Sequence, residues 1–151
     1  MGVDVVTSIT IRRPRTEVAR YAANPDNAPK WYVNIKSVEW RTEPEVRVGS
    51  KVAFVVKFLG RTIAYTYEII VYTPGERLVM QTSEGPFPME TSYEWRDGSD
   101  GGTVMTLRNR GEPVGFFRFV APFMAIAMRS ANRKDLARLR QILETDQAAG
   151  I

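Results

Sequence analysis

The sequence predicts an α+β fold: a curved antiparallel sheet of seven strands wrapped around a long C-terminal helix, with two short helices between strands 1 and 2. Three observations predict it. From Val33 to Gly111 the chain reads almost wholly as strands separated by short turns. After Gly111-Glu112-Pro113 the apolar residues change to helical spacing and keep it to about Thr145. Ahead of both lie one alternating strand and two brief helical segments.

The elements follow in order. Val3 to Ile11 alternates, with Val5, Thr7, Ile9 and Ile11 on one side and Asp4, Ser8 and Thr10 mostly on the other, as in a half-buried strand. Arg13-Pro14 opens a helix, since proline suits the first turn and Glu17 sits near the positive end of the dipole. Val18, Tyr21 and Ala22 form its apolar stripe, and Asn24-Pro25 stops it. Asp26 to Trp31 gives a further short turn or helix, broken by Pro29. The strands then run Val33 to Thr42, Lys51 to Leu59, Thr62 to Thr73, Arg77 to Ser83, Phe87 to Arg96 and Thr103 to Arg110. Glu43-Pro44 with Gly49, Gly60-Arg61, Pro74-Gly75, Gly85-Pro86 and the loop Asp97 to Gly102 connect them. Turns this short make neighbouring strands antiparallel. Met128, Ala131, Leu136, Leu139, Ile142 and Leu143 give the last element its period. It is expected from about Phe116 to about Thr145, roughly 45 Å long, with Pro122 kinking it or marking its true first turn. Ala148 to Ile151 are expected to fray.

The chain has 151 residues, 44% hydrophobic and 25% charged, which suits one globular domain spanning residues 1–151 without covalent staples. It contains neither cysteine nor histidine. Disulfides, thiolate or imidazole metal sites, and Ser-His-Asp or Cys-His catalysis are therefore excluded. No metal or cofactor is expected, and any chemistry falls to carboxylates, tyrosines, lysines, arginines or backbone amides. The net charge of +4 reads as a solvated basic surface with weak attraction to anions, because the cations are dispersed. Met-Gly-Val-Asp-Val-Val is not a signal peptide, Val6 breaks the myristoylation pattern, and Phe119 to Met128 is too short to span a bilayer. A cytoplasmic monomer or homodimer without stable membrane insertion is expected. Arg129, Arg133, Lys134, Arg138 and Arg140 lack the exposed stacking aromatics of a nucleic-acid surface, so none is expected to bind there.

A sheet of this kind must cover one face, and only the last helix is long enough to do it. Where helix and sheet diverge, a space remains. Ile9-Thr10-Ile11-Arg12-Arg13-Pro14 with Glu17-Val18, Asn24-Pro25-Asp26, Val48-Gly49-Ser50, Tyr67-Glu68-Ile69, Pro74-Gly75-Glu76-Arg77-Leu78, Gly102-Thr103 and Leu136-Ala137-Arg138-Leu139-Arg140, in this order, resemble the START-like, helix-grip superfamily. The branch is the bacterial polyketide cyclase/dehydrase and lipid-transport group (SRPBCC), and the resemblance covers nearly the whole chain. It implies the helix-grip fold and an internal cavity. Arg13 departs from the small or acidic residue that this family often carries before the proline, which weakens the expected N-cap.

With the family's phase, the strand residues expected to face inward are Val5, Thr7, Ile9, Val52, Phe54, Val56, Phe58, Tyr65, Tyr67, Ile69, Met80, Thr82, Phe87, Met89, Thr91, Tyr93, Met105, Leu107 and Asn109. Phe117, Val120, Met124 and Met128 face them from the helix. Expected ligand contacts are Phe54, Val56, Phe58, Tyr65, Tyr67, Met80, Phe87, Met89, Thr91, Tyr93, Met105, Asn109, Phe117, Val120, Met124 and Met128. Such a lining suits a small hydrophobic molecule, a lipid, polyketide or aromatic metabolite, with the hydroxyls and Asn109 orienting it. Two other readings stand beside that one: a cyclase/dehydrase-type enzyme using the same space, and an interaction module whose interior is filled. For the enzyme, Glu68, Glu90 and Glu94 fall on the outward phase, and Glu39 turns inward only if a bulge reverses it. No catalytic residue is assigned.

Overall fold

The computed structural model describes residues 2–58 and 60–145. The strands are β1 (Val3–Ile11), β2 (Ile35–Trp40), β3 (Lys51–Phe58), β4 (Arg61–Thr73), β5 (Arg77–Glu84), β6 (Met89–Asp97) and β7 (Thr103–Gly111). Between β1 and β2 lie α1 (Arg15–Ala23), a 3-10 turn (Pro25–Asn27) and α2 (Ala28–Trp31). After β7 come α3 (Phe116–Phe119) and α4 (Ala121–Thr145). The one sheet has the order β1-β7-β6-β5-β4-β3-β2, every pair antiparallel. It is the helix-grip architecture: β2 to β7 form a meander, and β1 returns to pair with β7, Val3 opposite Gly111 and Ile11 opposite Thr103.

Register breaks between Ile35 and Ser37, Thr66 and Tyr67, and Ile69 and Val71 bend the strands. Alternation does the rest: β6 and β7 bury every second residue, and those buried faces turn toward α4. Leu136, Leu139 and Leu143 of α4 are almost fully buried against Ile11, Ile69, Leu78, Met105 and Leu107 from the sheet and Val18 and Ala22 from α1. A second cluster joins Val3, Val5, Ile63, Tyr65, Phe87 and Met89 to Phe117, Ala121 and Met124. The C-terminal half of α4 is thus packed solid against the sheet, and looser space is left beside its first half.

Several boundaries differ from the expectation. The final helix begins at Ala121 instead of Phe116, because proline at 122 removes an amide hydrogen and its ring crowds the carbonyl four residues back. Val120 (φ −99°, ψ 9°) breaks the helix there, and the Met124 amide donates to the Val120 carbonyl to open the new one. The second strand is Ile35–Trp40, shorter than Val33 to Thr42, and Phe87 precedes β6. The β2 bulge lies before Ser37, so Glu39 keeps its outward phase and pairs with Arg41 at 2.9 Å. Glu90 pairs with Arg110, and Glu94 with Arg77 at 3.9 Å. The expected fray of residues 148–151, and Leu59 at the end of the third strand, lie outside the described residues.

Candidate functional site

A pocket of about 140 Å³ opens between the sheet, α4 and the α1–α2 segment. Alternate residues of the strands supply one wall: Phe54, Val56 and Phe58 from β3, Ile63, Tyr65 and Tyr67 from β4, Met80 from β5, Met89, Thr91 and Tyr93 from β6, and Asn109 from β7. Met124, Met128, Ala131, Asn132 and Asp135 of α4 form the opposite wall, and Ala22, Ala23, Pro25, Ala28, Tyr32, Asn34 and Ile35 close the end. Four sequence-expected contacts do not line it. Phe87 and Phe117 pack against each other, with ring centroids 4.9 Å apart and planes tilted by 53°, in the second core cluster. Val120 packs against that cluster where the helix breaks, and Met105 is fully buried under Leu136 and Leu139.

The polar groups of the pocket fall into three sets. Thr91 and Asn109 face each other across β6 and β7, and the Thr91 hydroxyl donates to Asn109 Oδ1 at 2.8 Å. The Tyr32 and Tyr93 hydroxyls share a hydrogen bond of 2.6 Å. Trp31 steadies them, its ring 4.1 Å from Tyr32 and 5.9 Å from Tyr93. On α4, Asp135 is 2% exposed, and its Oδ1 accepts from the Val33 amide at 2.9 Å. One turn earlier Asn132 is 4% exposed, and its Nδ2 is buried with no partner. A buried donor left unpaired costs on the order of 1–3 kcal/mol, so Asn132 is a group that an incoming acceptor oxygen would satisfy.

Protonation decides what these groups can do. Burial raises the Tyr65 and Tyr93 hydroxyls, raises Tyr32 well above the ordinary range, and pushes Tyr67 up to about 12 with the Thr91 hydroxyl pulling the other way. At neutral pH these tyrosines are neutral donors and acceptors, never bases. Asp135 differs. Burial pushes its carboxyl up to about 6, against the Val33 amide and the nearby Arg138 and Lys134, which hold it down. Among the described residues it is the one carboxyl lining the pocket, and it titrates near physiological pH. No group of three or more acidic side chains among those residues gathers in a way that could hold a metal ion.

Sequence reasoning missed Asp135, Asn132 and Tyr32. A signal was present: 124, 128, 131/132, 135 and 139 follow one another at three- and four-residue steps, which places Asp135 on the buried stripe of α4.

A family model described as polyketide cyclase/dehydrase and lipid transport matches residues 2–144. No curated protein matches the chain. Among solved structures, the chain is similar to the Zhui aromatase/cyclase from a Streptomyces strain, at 14% identity, covering 95% of this chain and 94% of that one, with a TM-score of 0.79. It is similar to a protein from Thermus thermophilus, at 17% identity over 91% and 94% of the two chains, with a TM-score of 0.78. A START superfamily protein from Mycobacterium smegmatis aligns at 12% identity over 93% and 97%, with a TM-score of 0.77. At these identities the likeness speaks for the fold alone.

Proposed function

The chain belongs to the polyketide cyclase/dehydrase and lipid transport family, and from that premise we propose that it binds a small, mainly apolar molecule carrying at least one acceptor oxygen in the pocket between sheet and α4. The observation that carries this reading is a lining of Phe54, Val56, Ile63 and four methionines interrupted by the unpaired Asn132 amide. Binding comes from desolvation of the ligand, and the amide fixes its direction.

Size narrows the ligand. A space near 140 Å³ matches the roughly 150 Å³ that admits a single benzene ring. Burying about 150 Å² of such a ring yields about 4 kcal/mol gross, which the costs of association largely cancel. A tight ligand must therefore be larger, burying about 300 Å² for about 7 kcal/mol gross. Met80, Met89, Met124 and Met128 are the side chains able to rearrange around it. Native mass spectrometry of protein purified from cells, with titration by 8-anilinonaphthalene-1-sulfonate, tests this. A co-purifying apolar species or saturable dye binding by the folded protein is expected. A bare mass together with no dye uptake would overturn the reading.

Asp135 favours a second reading, acid–base chemistry beside a carbonyl. A carboxyl near pH 6 has the right basicity to take a proton from a carbon adjacent to a carbonyl, leaving an enolate whose oxygen Asn132 would receive. Exchange of α-hydrogen for deuterium in the probe 2-tetralone reads that step directly. The wild type should accelerate exchange with a rise through about pH 6, and Asp135→Asn should abolish the acceleration. Equal rates in both proteins would refute it.

A further inference from the structure

Opposite the pocket, α3 and the first turns of α4 present large apolar side chains to solvent. Phe119 is 85% exposed, Phe123 66% and Ile126 65%, with Val114 just before α3 at 51%. Phe123 and Ile126 stand at i and i+3 on α4 and share a face. On the same helix Met124 is 1% exposed, so the outward turn of its neighbours is not fraying but the far side of a packed helix. Two phenylalanines and an isoleucine grouped in this way form a patch that soluble monomers rarely leave open.

Along α3 and the first half of α4 the charges are of one sign, bounded by the exposed Glu112 before them and the buried Asp135 after. Between Pro113 and Lys134 the sequence has four cations, Arg118, Arg129, Arg133 and Lys134, and no carboxylate. None of the four forms an ion pair among the described residues. Apolar residues flanked by cations that are held in no salt bridge match a surface that is apolar in depth and anionic at its face. A two-fold contact with a second copy would instead set these arginines against their own counterparts.

We propose that this surface docks the protein on an anionic lipid bilayer, with Phe119, Phe123 and Ile126 entering the headgroup layer and Arg118, Arg129 and Arg133 meeting lipid phosphates. Docking is peripheral, since no helix of the described residues is long and apolar enough to cross a membrane. The same helix turns Met124 and Met128 into the pocket, so docking sets a pocket wall one helix thickness from lipid.

Cosedimentation tests this with vesicles of phosphatidylcholine alone and of phosphatidylcholine containing about 30% phosphatidylglycerol. The wild type should bind the anionic vesicles at least about tenfold better than the neutral ones, and salt at about 0.5 M should weaken that binding. Phe123→Glu with Ile126→Glu, both at exposed positions, should reduce it about tenfold or more, with circular dichroism and unfolding midpoint unchanged. Three results would overturn the proposal: no preference for anionic vesicles, undiminished binding by the double variant, or a dimer that the double variant dissolves into monomers.

Discussion

Asp135 is a group whose native environment works against the fold. Its carboxyl titrates near 6 when folded, against an ordinary value of 3.8. Between those two values the native chain holds a proton that the unfolded chain has released, so stability falls as pH rises through this window. The penalty is absent below about pH 4 and complete above about pH 6, on the order of 3 kcal/mol. Asp135→Asn keeps an oxygen for the Val33 amide and removes the charge. It should raise the urea midpoint at pH 7.5 and flatten the decline between pH 4 and 6. A variant less stable than wild type at pH 7.5 would contradict this account. The Tyr32–Tyr93 pair offers a sharper test by double-mutant cycle. Either Tyr→Phe change strands one buried hydroxyl at about 1–2 kcal/mol, and the double change should cost less than the sum of the two. Tyr93 was legible in the sequence because strand alternation announces which side chains point inward. Asp135 was not, because a charged residue on an amphipathic helix reads as solvent-facing unless the stripe is traced through it.

At the scale of the element, α4 shows what Arg13 does in this fold. The N-cap of α1 falls on Pro14, one residue after the arginine, and proline has no side-chain group to accept a cap hydrogen bond. The guanidinium is used at the other end of the molecule's long helix: Nε donates to the Leu143 carbonyl at 2.9 Å, and the Arg12 amide donates to Glu144 Oε2 at 2.8 Å. The last carbonyls of a helix lack intrahelical donors, and a cation there also opposes the negative end of the dipole. Thr103 fixes the segment by donating to the Arg13 carbonyl at 2.6 Å. Arg13→Ala should cost about 1 kcal/mol in unfolding experiments and speed hydrogen exchange in the last two turns of α4. An unchanged exchange pattern would show that Leu143 and its neighbours need no outside donor. The existence of each element was legible in its period and its turn residues. Its ends were less so, because Pro122 permits either a kink or a start. The chain breaks at Val120 since a continuous helix would press the proline ring on the Arg118 carbonyl.

For the whole molecule, the distribution of packing along α4 is the functional variable. Leu136, Leu139 and Leu143 leave no space, whereas the stretch from Met124 to Asp135 borders the pocket. The meander could be read from short turns, but the pairing of β1 with β7 could not, since no local turn specifies a contact between residues about a hundred apart in sequence. That closure sets β1 beside β7, whose Asn109 lines the pocket, so one wall of the pocket rests on a pairing that no local turn specifies. Filling the space should separate ligand capture from stability. Ala131 lines the pocket from the helix, and Ala131→Leu adds apolar volume where the sheet does not reach. If the space is free to take a ligand, the variant should hold its unfolding midpoint or gain up to about 1–2 kcal/mol, while binding of 8-anilinonaphthalene-1-sulfonate falls about tenfold or more. Stability lost in proportion to the added volume would mean that the site is already full. Dye binding retained at full strength would place the apolar site elsewhere. A small ligand stabilises only the native state, so a true pocket occupant must raise the midpoint of the wild type and leave that of Ala131→Leu where it stands.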